Sequence, residues 1–86
     1  MPELSRFYGI VIRMFANDHN PPHFHAQYGE HSATIDIATR SIIEGSLPRR
    51  CRNMVAEWSE LHEQELMSAW HTLKSGTPPQ KIAPLS

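Results

Sequence analysis

Eighty-six residues with a net charge of −1, counting histidine as neutral, make one domain and leave no room for a second core. A hydrophobic fraction of 40% against 20% charged residues excludes a disordered chain, and the near-neutral charge argues against a general nucleic-acid or membrane-surface binder. Cys51 is the only cysteine, which excludes an intrachain disulfide; no apolar run approaches the roughly 20 residues of a bilayer span, and no signal-peptide pattern opens the chain, so a cytoplasmic protein is expected.

From 6 to 16 the residues alternate, with Tyr8, Ile10, Ile12 and Met14 on one side and Phe7, Val11, Arg13 and Phe15 on the other, which predicts a first strand. Residues 18–22 end it, because Pro21 and Pro22 supply no ladder donors. A second strand is expected over 23–28, and Gly29-Glu30 reads as the turn of a hairpin into a third strand over 32–38. A short fourth strand near 41–44 ends at Gly45.

Ser46 is the expected cap of a helix with Pro48 in its first turn. That helix runs over about 47–75, roughly 40 Å, until Gly76 and Pro78-Pro79 stop it; Ser59 and Glu63 mark the places where it could break. Leu47, Cys51, Met54, Val55, Trp58, Leu61, Leu66, Ala69 and Leu73 share an arc of about 140°, facing a sheet. The tail over 77–86 carries Ile82 and Leu85 and is expected to pack back. The fold class is therefore α+β: an antiparallel sheet of three to four strands in residues 5–44, with one long C-terminal helix packed on one face, in a single domain 1–86.

The chemistry-bearing residues concentrate in Asn17-Asp18-His19-Asn20-Pro21-Pro22-His23-Phe24-His25. His23 and His25, two apart on a strand, leave the same face roughly 7 Å apart at the backbone, within reach of one metal ion. His19 or Asp18 from the preceding loop offers a third ligand. No His-Glu-x-x-His or CxxC pattern is present, and the same histidines could instead donate to loop carbonyls. No organic cofactor is expected; a divalent metal is the one group the pattern accommodates.

Strand parity turns Phe24, Ala26 and Tyr28 inward with Ala33, Ile35 and Ile37. It leaves His23 and His25 on the outer face with Arg13, Asp36, Phe7, Val11 and Phe15, and the last three are candidate interface residues. His62 and Glu65 fall inside the apolar arc of the helix, either as a structural network or as an acid–base pair in a pocket between helix and sheet. Arg49 and Arg50, with Arg52, crowd the helix start and are candidate anion ligands, as is Arg13. Cys51 and His62 are about 16 Å apart along a helix, too far for a thiolate–imidazolium pair.

Ser5-Arg6-Phe7-Tyr8-Gly9-Ile10, the Asp18–His25 segment, Ile35-Asp36-Ile37, Gly45-Ser46-Leu47-Pro48, Trp58, Leu61-His62, Glu65-Leu66, Trp70 and Ile82-Ala83-Pro84-Leu85 together resemble the bacterial family catalogued as domain of unknown function 4160. The resemblance implies a small bacterial protein, often encoded beside another small protein and sometimes described as a toxin–antitoxin component or regulator. No activity or catalytic residue comes with it, and His31 and Cys51 are not part of the likeness.

These residues point first to a protein-interaction or regulatory component, acting with a partner chain or with itself, rather than to an enzyme. The alternative is a small hydrolase or nuclease using Asp18, His19, His23 and His25, with or without metal, and with Arg49 and Arg50 holding phosphate. His62 and Glu65 are the other candidate catalytic pair. A nucleic-acid-binding regulator is a third reading, disfavoured by net charge. No membrane association is expected.

Overall fold

A computed structural model of the chain describes residues 3–86. Five strands, β1 (Glu3–Phe7), β2 (Ile10–Arg13), β3 (His23–Tyr28), β4 (His31–Asp36) and β5 (Ile42–Gly45), form one antiparallel sheet in sequential order. Two helices, α1 (Arg49–Leu61) and α2 (Glu63–Lys74), complete the α+β architecture. The core lies between the helices and one sheet face, where Trp58 packs against Phe7 and Phe24 at ring-centroid distances of 5.4 and 5.9 Å.

The fifth strand comes from the run 6–16, which is a hairpin and not one strand. Tyr8 and Gly9 have φ of 50° and 81°, the pair of positive values that a two-residue type I′ turn needs to match strand twist. Phe7 then pairs directly with Ile10, so both point to the same face. Phe7, expected outside, is consequently a core residue with 5% of its surface exposed. Tyr8 becomes an exposed turn residue.

The single long helix is likewise corrected to two. An unbroken helix over 49–74 would measure about 39 Å, more than the 34 Å longest dimension of the molecule. His62 takes φ −119° and ψ 26°; its N–H donates to the Trp58 carbonyl to close α1, and its own carbonyl accepts from the Leu66 N–H to open α2. Arg40, in the β4–β5 turn, reaches Glu63 at 2.9 Å and ties the start of α2 to the sheet. The break turns Leu61 out of the expected apolar arc, to 67% exposure, while Leu66 is fully buried.

Ser46 does not cap α1. Pro48 occupies that position without a side-chain hydrogen bond, and the Ser46 N–H instead donates to the Ser32 carbonyl. Gly45 is obligatory there: its φ is 80°, and a Cβ would sit 2.2 Å from the Ser32 oxygen. The tail packs back as expected. Ile82 N–H donates to the Leu4 carbonyl and covers the β1 edge, and Trp58 Nε1 donates to the Ala83 carbonyl, both at 2.8 Å. Among the described residues, no helix is long and apolar enough to cross a membrane.

Candidate functional site

The parity of β3 has the expected consequence. Phe24 and Ala26 are buried under the helices, while the side chains of His23 and His25 leave by the other face with 12% and 31% exposed. Tyr28, expected inward, lies at the sheet end and is 37% exposed.

The loop between β2 and β3 bends back on itself, with the Asp18 N–H donating to the Phe15 carbonyl, and it includes a cis Asn20–Pro21 bond. This brings Asp18 Oδ2 to 3.2 Å from His23 Nε2 and 2.9 Å from His25 Nε2. One carboxylate oxygen thus meets both rings.

Each ring is held from behind. His23 Nδ1 donates to the Pro21 carbonyl at 2.7 Å, and His25 Nδ1 lies 3.4 Å from Thr34 Oγ1. Phe15 packs on His25 and Trp70 on His23, at centroid distances of 4.6 and 5.3 Å. The first of these contacts fixes a proton. A carbonyl only accepts, so His23 carries its proton on Nδ1, and a neutral His23 would turn a bare Nε2 lone pair toward a carboxylate oxygen. Two lone pairs at 3.2 Å repel unless something positive lies between them. Either a second proton, making imidazolium, or a cation satisfies the geometry.

The dimensions suit a cation. The ligand atoms of Asp18, His23 and His25 all lie within 4.8 Å of one another. Ligand atoms about 2.1 Å from a tetrahedral ion sit about 3.4 Å apart, close to the two distances from Asp18 Oδ2 to the rings. Two imidazoles and one carboxylate with an open outer side form the donor set of catalytic zinc and non-haem iron sites, whereas structural zinc takes four closed ligands. A back-tied Nδ1–H is also how ligating histidines are oriented.

The other expected site residues fall elsewhere. His19 is exposed and outside the cluster. Asp36 spends one carboxylate oxygen on the N–H groups of Ala38 and Thr39, capping the β4–β5 turn. His62 and Glu65 do hydrogen-bond, but at the helix break, with 53% of the Glu65 side chain in solvent, so the expected enclosed pocket does not form around them. His62 stacks on Trp58 at 5.5 Å and does not meet His23 or His25.

Arg49 and Arg50 are exposed at the start of α1. Arg50 shares a groove with Tyr8 and Tyr28, at the far end of β3 from His23. Five residue steps separate Tyr28 from His23, about 16 Å, so Arg50 does not share a ligand with the histidines. Val11 and Phe15 are half-buried on the outer face, and Phe15 is committed to His25.

Sequence reasoning missed Thr34, the Pro21 carbonyl and Trp70 as parts of this site. Thr34 was within reach: the two-residue turn at Gly29-Glu30 pairs Tyr28 with His31, and counting back sets Thr34 opposite His25. The same register builds a row across the outer face, Arg13, His25, Thr34 and Glu44.

A family model described as "Domain of unknown function (DUF4160)" matches residues 9–71, more than half of the chain, and spans the whole Asp18–His25 cluster. The chain belongs to the domain of unknown function 4160 family. The likenesses at Ser5–Tyr8 and Ile82–Leu85 lie outside the span matched to this family. No curated protein and no solved structure matches the chain.

Proposed function

We propose that this family member binds one divalent transition-metal ion through Asp18, His23 and His25 and acts as a small metal-assisted hydrolase. The observation that carries the reading is the orientation of His23: its Nδ1–H is committed to the Pro21 carbonyl while its Nε2 faces the Asp18 carboxylate. An ion held by Asp18, His23 and His25 would resolve that contact and would supply a Lewis acid able to activate water near neutral pH. The expected interaction patch is weaker support for a different role, because Phe7 is in the core and Phe15 is spent on His25.

Isothermal titration with zinc tests the reading. One ion per chain is expected, with binding lost in the His23→Ala/His25→Ala double variant and retained in His62→Ala. Binding that survives the double variant would contradict it.

A second reading, an interaction component working with a partner chain in the cytoplasm, is supported by β5. Among the described residues that strand pairs only with β4, and its Ile43 is 50% exposed. An uncovered edge is a template for strand addition. A hydrolase held in check by such a partner is the form a toxin–antitoxin pair would take, in keeping with the resemblance. Light scattering of the chain with its co-purified partner, before and after Ile43→Lys, checks this: the complex should dissociate in the variant.

A further inference from the structure

We infer that the substrate of the Asp18–His23–His25 site is a phosphodiester in single-stranded nucleic acid, gripped by Arg13 on the His25 side and by Lys74 on the His23 side. The inference rests on the metal-assisted reading above and goes on to name its substrate class.

Two cations flank the cluster without carboxylate partners. Arg13 lies directly across from His25 on the same face, and its hydrogen bond goes to the neutral Gln27 Oε1 at 2.9 Å. Glu3, the next residue across on β1, is bonded to Arg6. On the other side, Lys74 Nζ lies 4.5 Å over the Trp70 ring that packs on His23, and donates to the Ala16 carbonyl at 3.2 Å. Among the described residues, neither Arg13 nor Lys74 forms an ion pair, whereas Arg6 and Arg40 do. With a divalent ion between them, these groups favour a substrate that is anionic at the reacting atom.

Shape selects a polymer. The depression beside His25, bordered by Thr34 and Glu44, holds about 130 Å³. Pockets that enclose small ligands run to about 300–1,000 Å³, so the substrate lies across the sheet face. The outer face is open, and Arg13, His25 and Thr34 stand side by side across it, a track for the backbone of an unpaired strand. Glu44 sits two strands from His25 along the row, about 10 Å away, and repels phosphate from that end. The scissile group therefore lies toward Arg13.

The reaction is hydrolysis. A water oxygen forms a bond to phosphorus, and the bond from phosphorus to one ester oxygen breaks. One water proton ends on the alcohol so released, and the other stays with the new phosphomonoester. Water is the only co-reactant.

The test incubates zinc- or manganese-loaded protein with fluorescein-labelled 20-nucleotide single-stranded RNA, the DNA counterpart, and an unstructured peptide of similar length. Cleavage of at least one oligonucleotide is expected, absent from an Asp18→Ala preparation made the same way. Arg13→Gln should lower kcat/KM about 10- to 100-fold with zinc affinity unchanged, and Arg13→Lys should recover part of the loss. Three outcomes overturn the inference while leaving the metal site standing: zinc binding with no oligonucleotide cleaved, cleavage of the peptide alone, or Arg13→Gln acting like the parent. Failure to bind zinc overturns the metal-assisted reading itself.

Discussion

Histidine meets carboxylate in two regions of this molecule, and the two meetings differ in kind. At the helix break, His62 stands just before α2 and Glu65 three residues on in its first turn, so the helix start alone brings them together; Glu65 is largely solvated. At the head of β3, Asp18 reaches His23 and His25 from a separate loop, and each ring is oriented from behind by a second polar group and flanked by an aromatic. A local pair costs the chain nothing to form and holds nothing in place. A non-local cluster has to be built, and its ring nitrogens converge on one point.

The largest expected effect sharpens the helix-break side of the comparison. Leu66→Ala, which empties a fully buried position in the first turn of α2, should destabilise by about 2–5 kcal/mol in urea unfolding. Leu61→Ala, five residues earlier and turned outward, should stay within about 0.5 kcal/mol. Equal losses would mean that the helix continues straight through His62.

The next effect separates the two histidine sites. Asp18→Ala should weaken zinc binding by about 100-fold, or about 2.7 kcal/mol, while Glu65→Ala leaves it unchanged in the same titration. A smaller loss, about tenfold, is expected for Thr34→Val, which removes the group behind His25 but no ligand. If Thr34→Val matches the parent, His25 is oriented by packing against Phe15 alone.

The smallest effect belongs to the exposed pair on β1. The Arg6 guanidinium, hydrogen-bonded to Glu3, holds that carboxyl below its usual value of 4.5, and Glu3 in turn raises Arg6. Because the folded Glu3 value is the lower one, its contribution is present above the unfolded value and is lost as pH falls through the folded value. In Arg6→Ala, carboxyl NMR should find Glu3 titrating closer to 4.5, with no measurable change in Tm, since the pair lies at the surface and solvent screens it.

Much of this was legible because strand parity and turn chemistry are local. The alternation over 23–28 and the glycine turn after it are enough to point His23 and His25 outward and to pair them with Asp36 and Thr34. The first hairpin was hidden because the aromatic Tyr8 sits in the turn, so that 8, 10, 12 and 14 read as one continuous apolar face, and Tyr8 is not a residue expected at positive φ. The helix break was half legible: Glu63 was one of the two places where the helix could break, but nothing local decided that it does. No glycine or proline marks it, and its cause is tertiary: a helix longer than the domain, with Arg40 pulling Glu63 toward the sheet. The 14–22 loop, which delivers Asp18, is tied at Ala16 by Lys74, and Trp70 packs on His23 just beyond it; both partners lie some fifty residues away in sequence.

Long-range 1H–15N NMR of the histidine side chains, recorded during a zinc titration, tests the central claim most directly. The account predicts that Nε2 of His23 and His25 shift together at one equivalent, that the Nδ1 of His23 stays protonated, and that His19, His31, His62 and His71 do not respond. A zinc response centred on His62, or His23 and His25 unmoved at saturating zinc, would contradict it.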